Sequence, residues 1–269
     1  MREKISACVT AGNEESKIRR CLESLTWCDE IVVVDSFSKD RTVEICKEFT
    51  PRVYQHEWLG YIGQKNLIRQ MAVHPWILFL DADEVVSDEL RTEILKEFEG
   101  GTGPYAGFRF PRKVFYLGRW INHGEWYPDI KLRLFKKELG HSEGQEPHDR
   151  VVVNGLVKTL KSHLYHYTYD NLHDHIDTMN RFSTITAKEK FFQGYHFHWA
   201  DVLFRPSLRF LKSFFLRHGF LDGTPGFFIA CISAFGVLMK YSKLWELQKT
   251  VSAQPENKQP SPAPREENK

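Results

Sequence analysis

The sequence has few cysteines and almost no net charge. Its five cysteines are an odd number without paired spacing, which argues against a disulfide framework and favours a reducing compartment such as the cytosol. The formal net charge of +2 over 269 residues provides no strong field that would attract nucleic acid. We therefore expect a globular protein without a nucleic-acid partner.

The sequence also lacks a long apolar run. The longest, at 227–239, has about 13 residues, fewer than the roughly 18–20 that cross a bilayer, so it predicts a buried or interfacial helix. The first residues lead directly into a predicted strand at Ile5, and we expect no signal peptide. Residues 251–269 are rich in Gln, Pro, Glu and Lys, which predicts a disordered tail.

The most informative feature that is present is a pair of aspartates after an apolar segment. The run 76–80 is typical of a strand buried on both faces, and Asp81 and Asp83 follow it. Open α/β sheets bind ligands at the carboxyl ends of their strands, and alternation along the chain points both side chains to one side. Because hard divalent cations prefer oxygen ligands, this pair is a candidate metal site.

The first fifty residues repeat the same strand-then-helix plan. Residues 5–10 form a predicted strand followed by an acidic turn, and residues 31–34 form a second one that ends in Asp35. Apolar residues at helical spacing follow each strand. Such alternation, with acids at successive strand ends, is typical of nucleotide-binding α/β folds. We predict that the Asp35 carboxylate accepts an N–H group of a nucleobase.

Four motifs in the first third of the chain make the resemblance to a known family specific. In order they are Thr10-Ala11-Gly12-Asn13-Glu14-Glu15, Asp35-Ser36-x-Ser38-x-Asp40-x-Thr42, Gly63-Gln64-Lys65-Asn66 and Asp81-Ala82-Asp83-Glu84. The chain resembles family-two glycosyltransferases, which have the GT-A fold and use nucleotide-sugar donors. Later motifs resemble the branch that builds the lipopolysaccharide core: Tyr127-Pro128-Asp129-x-Lys131-x-Arg133, His148-Asp149 and His163-x-x-His166.

The resemblance implies an α/β GT-A fold with a catalytic domain at 1–170 and a helical region at 171–250. Within the catalytic domain, 1–100 would bind the donor and 101–170 the acceptor. The predicted donor-binding residues are Thr10, Asn13, Glu14, Glu15, Asp35, Ser36, Gln64, Lys65, Asn66, Asp81, Ala82 and Asp83. The predicted acceptor-binding residues are Trp126, Tyr127, Asp129 and Arg133.

Sugar transfer needs a base for the acceptor hydroxyl and positive charge for the leaving diphosphate. The related branch usually has His-Glu where this chain has His148-Asp149, so we assign the base to Asp149, with Glu146 in reserve. A divalent cation, Mn²⁺ or Mg²⁺, would supply the positive charge. Its predicted ligands are Asp83, Asp81 and, as the later histidine that often completes such sites, His166. Direct displacement with one base predicts inversion at the anomeric carbon.

A basic and apolar segment in the helical region predicts a membrane partner. Residues 203–217 interleave apolar side chains with four cations and no acid, namely Arg205, Arg209, Lys212 and Arg217. On one helix these cations lie along one broad side, with an apolar stripe beside them. We predict a cytoplasmic enzyme that docks through 203–220 on the inner face of a membrane and acts on a lipid-linked saccharide.

Three other functions fit parts of the sequence. A haloacid-dehalogenase-type phosphatase would use Asp81-Ala82-Asp83-Glu84-Val85, but it also needs a later Gly-Asp motif that the sequence does not offer. A nucleotidyltransferase requires a glycine-rich basic loop after the first strand, whereas the loop here is acidic. A non-enzymatic membrane adaptor would be built around 203–240, and it would have only the basic segment in common with the membrane-docking enzyme. Divalent-dependent release of nucleotide from a nucleotide sugar separates an enzyme from an adaptor.

Overall fold

A computed structural model describes residues 2–145 and 148–253. Its first hundred residues alternate strands and helices, as the apolar runs and the helical spacing predict. The elements are β1 (Ile5–Ala11), α1 (Ile18–Glu23), β2 (Glu30–Asp35), α2 (Thr42–Phe49), β3 (Val53–Gln55), α3 (Gly60–Met71), β4 (Trp76–Asp81), β5 (Glu84–Val86) and α4 (Asp88–Glu99).

Strands dominate the next part of the chain, and helices the last. The strands are β6 (Tyr105–Tyr116), β7 (Arg119–Trp120), β8 (Asp129–Lys136), β9 (Gly140–Gln145), β10 (His148–Val153), β11 (Leu156–Thr159) and β12 (Leu164–His166). The helices are α5 (Leu172–Phe192), α6 (Trp199–Leu203), α7 (Arg205–Leu211) and α8 (Gly223–Ala253), with a π-helical turn at Lys212–Leu216 and a 3₁₀ turn at Gly219–Asp222. Most of the predicted tail, 254–269, lies outside the described residues.

One mixed sheet organises the molecule, in the strand order β3-β2-β1-β4-β8-β6-β12-β5. Strands β3, β2, β1 and β4 are parallel, and β8 then runs antiparallel to both β4 and β6. In the parallel part, Ala11 is level with Asp35, and Thr10 is level with Asp81. The acids predicted at two strand ends therefore share one edge of the sheet. Strands β9 and β10 form a separate hairpin.

The parallel strands are buried on both faces, which explains why β2 and β4 are apolar almost throughout. On one face, Trp76 and Phe108 pack with Phe98 of α4, together with the buried faces of α1 and α2. On the other face, Phe79 and Phe135 pack with residues of α3. Because both faces of these strands are covered, the polar edge of the sheet lies at their carboxyl ends.

The last helix is longer than the apolar run in the sequence suggested. Helix α8 has 31 residues, because moderately polar positions continue the helix beyond the 227–239 run. Of the helices that the structure describes, one stretch, 219–250, is long and apolar enough by length and composition to cross a membrane. It also packs along α5: Gly236 leaves no room for a side chain beside Met179, and Lys243 Nζ donates to Asn180 O at 2.8 Å.

The basic segment at 203–217 is not the single helix that its spacing predicts. Helix α6 ends at Leu203, and α7 begins at Arg205 with Pro206 in its first turn. Proline is tolerated there because its missing N–H group would have had no partner inside the helix. The segment then closes in the π-helical turn.

A buried histidine on α5 predicts sensitivity to acid. His175 is 0 % exposed, its Nδ1 lies 2.8 Å from the Tyr116 hydroxyl, and its Nε2 has no partner. Burial lowers the pKa of His175 from 6.5 to about 4. The unfolded chain therefore binds a proton at a higher pH than the folded one. The resulting stabilisation is complete above pH 6.5 and is lost as the pH falls towards 4.

We expect His175 to reduce the free energy of unfolding by up to about 2 kcal/mol between pH 7 and pH 5. Urea unfolding at the two pH values measures this loss. The His175→Gln variant should lose most of the pH dependence, while His173→Gln, at an exposed site on the same helix, should retain it. An unchanged pH dependence in His175→Gln would show that another group is responsible.

Candidate active site

The two aspartates after β4 lie at the polar edge of the sheet, where the sequence predicts them. Asp83 faces His166 at the end of β12, with 3.1 Å between Oδ2 and Nε2. The Tyr167 N–H group donates to the Asp83 carbonyl oxygen at 2.9 Å. Although burial favours the neutral acid, the adjacent His166 holds the pKa of Asp83 below its usual value. The structure thus brings together two of the three predicted metal ligands.

Asp81 forms ion pairs with two basic side chains. Lys65 Nζ lies 3.2 Å from its Oδ1, and Arg133 donates to its Oδ2 at 2.6 Å. Burial alone would raise the pKa of Asp81, but Arg133 and Lys65 hold it well below the usual range. Asp81 is therefore an anchored carboxylate that remains partly exposed.

A buried ion-pair network lies beneath Asp81, and sequence reasoning did not find it. Glu84 is fully buried, and its Oε1 accepts hydrogen bonds from Arg133 at 2.7 Å and Arg112 at 2.9 Å. Arg112 also donates to Asp129 at 2.7 Å. The predicted acceptor residues Arg133 and Asp129 thus help to support the site through these ion pairs. Their contact with an acceptor stays a prediction. Glu84 stands in the quoted motif, but nothing in the local sequence marks Arg112.

Helix α3 joins the separate parts of the site through three consecutive residues. Gln64 Nε2 donates to Ser36 Oγ at 3.0 Å, at the end of β2. Lys65 pairs with Asp81 at the end of β4. The Asn66 side chain bonds both backbone groups of Ser142, at 2.8 and 2.9 Å, and so fastens the β9–β10 hairpin to α3.

The predicted base stands on that hairpin. Asp149 Oδ2 lies 3.0 Å from Lys65 Nζ, and its side chain is 12 % exposed. Lys65 therefore bridges Asp149 and Asp81, although 84 residues separate Lys65 from Asp149 along the chain. The reserve base, Glu146, lies outside the described residues.

The loops after β1 and β2 are fastened to each other. The Asn13 N–H group donates to Ser38 Oγ at 2.7 Å, and the Asn13 side chain accepts from the Lys39 N–H group at 2.8 Å. Glu15 accepts from the Arg41 N–H group at 2.8 Å. Asn13 and Glu15 thus shape the rim of the predicted donor site. Glu15 itself is exposed.

Asp35 is more enclosed than a nucleobase contact would require. It is 0 % exposed, and its Oδ2 accepts from the Ser38 N–H group at 2.9 Å and from Gln55 at 3.2 Å. Its other oxygen accepts from the Ser38 hydroxyl. The carboxylate holds the loop in this arrangement, and a contact with a base stays a prediction that requires these partners to shift.

Glu14 lies in the field of the metal-site candidates. Burial, followed by the nearby charge of Asp83, raises the pKa of Glu14 to about 7. Thr10 and Ala82 contribute backbone at the same edge: Thr10 is level with Asp81, and Ala82 is buried.

The two aromatic residues predicted to bind the acceptor have different surroundings: Trp126 packs against other rings, and Tyr127 makes a polar contact. Trp126 packs against Tyr116, Tyr169 and His175, with ring centroids 5.1–5.9 Å apart. The Tyr127 hydroxyl lies 3.1 Å from His163 Nε2. Trp126 thus stabilises the core of this half, and Tyr127 presents a polar group beside it.

The chemistry of the donor set at Asp83 and His166 fits a divalent cation. A carboxylate and an imidazole suit a borderline ion such as Mn²⁺, and His166 Nδ1 is buried without a partner. Within residues 2–145 and 148–253, no cluster of three or more His, Cys, Asp or Glu side chains is arranged to hold a metal. A cation at this pair would need further ligands from outside the protein, such as the phosphates of a substrate.

The comparison with known families agrees with this arrangement. Residues 6–160 match the model of glycosyl transferase family 2, which covers more than half of the chain. The chain belongs to this family, and its mixed α/β sheet confirms the predicted GT-A fold.

Several relatives and solved structures are similar along most of the chain. An uncharacterized glycosyltransferase of Rickettsia typhi is 32% identical over 91% of this chain and 88% of its own length. The lipopolysaccharide core biosynthesis glycosyltransferase LpsC of Rhizobium meliloti is 28% identical over 90% and 92%. S. aureus TarS in complex with UDP-GlcNAc is 14% identical with a TM-score of 0.48, over 93% of this chain and 91% of that one. The mannosyltransferase PcManGT from Pyrobaculum calidifontis, in complex with GDP-Man and Mn²⁺, is 15% identical with a TM-score of 0.47, over 94% and 80%.

Proposed function

We propose that this glycosyltransferase moves a hexose or heptose, with inversion, from a nucleotide-sugar donor to a hydroxyl of a lipid-linked acceptor of the lipopolysaccharide-core type. The observation that carries the reaction is the group of Asp83, His166, Lys65 and Asp149 at the carboxyl edge of the sheet. The acceptor class rests on the similarity to LpsC along most of both chains.

Asp149 removes the proton of the acceptor hydroxyl as that oxygen attacks the anomeric carbon. Lys65 lies against this carboxylate at 3.0 Å and holds it in position. Attack opposite the leaving diphosphate, with a single base, inverts the anomeric centre. The bond from the anomeric carbon to the diphosphate breaks, and its electron pair leaves with the nucleotide.

Asp83 and His166 would hold the divalent cation, Mn²⁺ or Mg²⁺, with Asp81 beside them. When bound, this cation neutralises negative charge on the leaving diphosphate. Arg133 and Lys65 lower the pKa of Asp81 and so favour its ionised form. The buried pair of Glu84 and Arg133 fixes the orientation of that carboxylate.

The alternative functions have less support. Membership of glycosyl transferase family 2 supports a glycosyltransferase rather than a phosphatase. We place the enzyme on the cytoplasmic side of a membrane, because all five cysteines are free thiols and the proposed acceptor is anchored in lipid.

Incubation with UDP-, ADP- and GDP-sugars, with release of the free nucleotide as the readout, tests the proposal. We expect one nucleotide class to be cleaved in the presence of Mn²⁺ or Mg²⁺, with activity lost in a chelator and restored by added cation. Cleavage that yields inorganic phosphate without nucleoside diphosphate would indicate a phosphatase. Failure of every donor to bind or react would refute the proposed function.

A further inference from the structure

The segment 199–221 exposes a row of apolar side chains that do not pack into the core. Six of them, 47–76 % exposed, are Leu203, Phe204, Leu208, Leu211, Phe215 and Leu216. We call this row, together with the cations between its members, the docking surface. An exposed apolar patch of this kind marks a site of interaction with a protein or a membrane.

The side chains of this segment divide into an outer and an inner row. Phe204, Leu208, Leu211 and Phe215 follow one another at intervals of four, three and four, which is one helical face. The inner residues Phe210 and Phe214 instead pack on Phe227 of α8, with ring centroids 6.0 and 5.7 Å apart. None of the four outer side chains belongs to a buried hydrophobic cluster of the described residues.

The exposed charge of the docking surface has one sign. Arg205, Arg209, Lys212 and Arg217 are exposed, and residues 202–221 contain no acid. The acids at the two ends, Asp201 and Asp222, are only 3 % and 1 % exposed. Apolar side chains beside a row of cations are the pattern of a helix lying in the headgroup region of a membrane.

We propose that the docking surface binds the headgroup region of an anionic bilayer and thereby holds the acceptor side of the active site over the membrane. Charge complementarity favours this occupant over a second copy of the chain. In a symmetric dimer formed through this surface, the same cations would meet across the interface, whereas anionic headgroups would neutralise them.

The loop at 122–125 links the docking surface to the catalytic domain. The N–H groups of Asn122 and His123 donate to the buried Asp222 at 3.2 and 2.7 Å. The Gly124 N–H group donates to Arg217 O at 2.8 Å. Glu125, which is largely buried, pairs with Arg209 at 2.8 Å.

This loop leads directly into the predicted acceptor aromatics at 126–127. A lipid-bearing acceptor would therefore meet the catalytic domain next to the bilayer that carries it. The inference rests on the proposed function for its purpose, but the binding of lipid can be measured without any donor or acceptor.

Co-sedimentation of the full chain with vesicles tests the surface directly. We expect binding to vesicles of phosphatidylcholine with phosphatidylglycerol at low salt, and weaker binding at high salt or to phosphatidylcholine alone. The Lys212→Gln, Arg217→Gln double variant should bind with a partition coefficient about 25-fold lower, since each cation contributes about fivefold. A variant with Leu208→Ser, Leu211→Ser and Phe215→Ser should bind at least as weakly.

Matched variants elsewhere control for charge and for hydrophobicity. Arg91→Gln with Lys96→Gln removes two exposed cations of α4, and Val73→Ser with Leu156→Ser removes two exposed apolar side chains. Both should bind vesicles as the wild type does. Circular dichroism confirms that each variant is folded.

Three outcomes would overturn the proposal. The first is no binding at low salt, or equal binding by the docking-surface and control variants. The second is a dimer that dissociates when the apolar row is replaced, which would make a second copy the occupant. The third is binding that resists both high salt and alkaline carbonate, which would indicate insertion of α8.

Hydrogen exchange tests the link to the acceptor side. On addition of anionic vesicles, we expect the amides of Asn122, His123 and Gly124 to exchange several-fold more slowly, while peptides of α4 do not change. Binding without this protection would refute the coupling. Donor binding by the docking-surface variants tests the proposed function separately. Loss of vesicle binding with intact donor binding would count against the docking surface alone, and loss of donor binding with intact vesicle binding would count against the proposed function alone.

Discussion

Replacement of Asp83 with alanine is expected to abolish sugar transfer and leave the protein folded. Asp83 is the carboxylate that faces His166 at 3.1 Å, and under the proposed function its loss removes the main oxygen ligand of the cation. Loss of electrostatic stabilisation of a leaving group costs on the order of 10³ in rate or more. The side chain lies at a polar edge and is 19 % exposed, so its removal opens no apolar cavity. Initial rates at a fixed metal concentration, with thermal unfolding as the check on folding, measure both parts.

The matched control is Asp88→Ala, an exposed aspartate in the first turn of α4. It changes the same residue type five positions further along, away from the site, and should transfer sugar at the wild-type rate. Near-normal turnover of the Asp83 variant at the same metal concentration would mean that Asp83 is not a ligand of the catalytic cation.

The second large effect is expected at Asp149. The Asp149→Asn variant should lose a factor of roughly 10²–10⁴ in turnover, the usual contribution of a general base. The amide has nearly the same shape but cannot accept the acceptor's proton. Lys65 retains its contact with Asp81 at 3.2 Å, so donor binding should persist. Turnover under saturating donor, together with a donor dissociation constant from titration, separates the two effects.

Glu143→Gln is the control for this experiment, since Glu143 stands on the other strand of the same hairpin and is half exposed. It should behave as the wild type does. A collapse of donor affinity with normal residual turnover would make Asp149 a donor contact. A larger loss of rate in Glu146→Gln would move the base to Glu146.

Much of the donor half could be predicted because its signals are local. The strand that ends at Asp81 is a continuous apolar run, and the helices are marked by apolar residues three and four positions apart. Parallel strands place their carboxyl ends at one edge, so the positions of Asp35 and Asp81 followed from the strand assignments alone. The order of the motifs then indicated the family, which the comparison confirmed.

The partners of these side chains could not be predicted in the same way. Arg133 and Asp129 were expected at an acceptor surface. In the structure, Arg133 pairs with the buried Glu84, and Asp129 pairs with Arg112 of the neighbouring strand β6. Asp35 was expected to face the nucleotide, but a hydroxyl three residues away and Gln55 from β3 enclose it. A local pattern specifies which residues are polar, whereas their partners depend on the neighbouring strands.

By itself, the sequence determined the strand-and-helix plan, the acidic strand ends and the apolar and basic character of 203–217. These follow from spacing within one element, which short-range sterics and burial control. The family resemblance suggested that His166 joins Asp83, but only the tertiary structure placed the two in contact and decided that Lys65 bridges Asp81 and Asp149. These contacts join residues 16 to 84 positions apart, so they depend on sheet register and on the docking of the hairpin to α3, which no local spacing encodes.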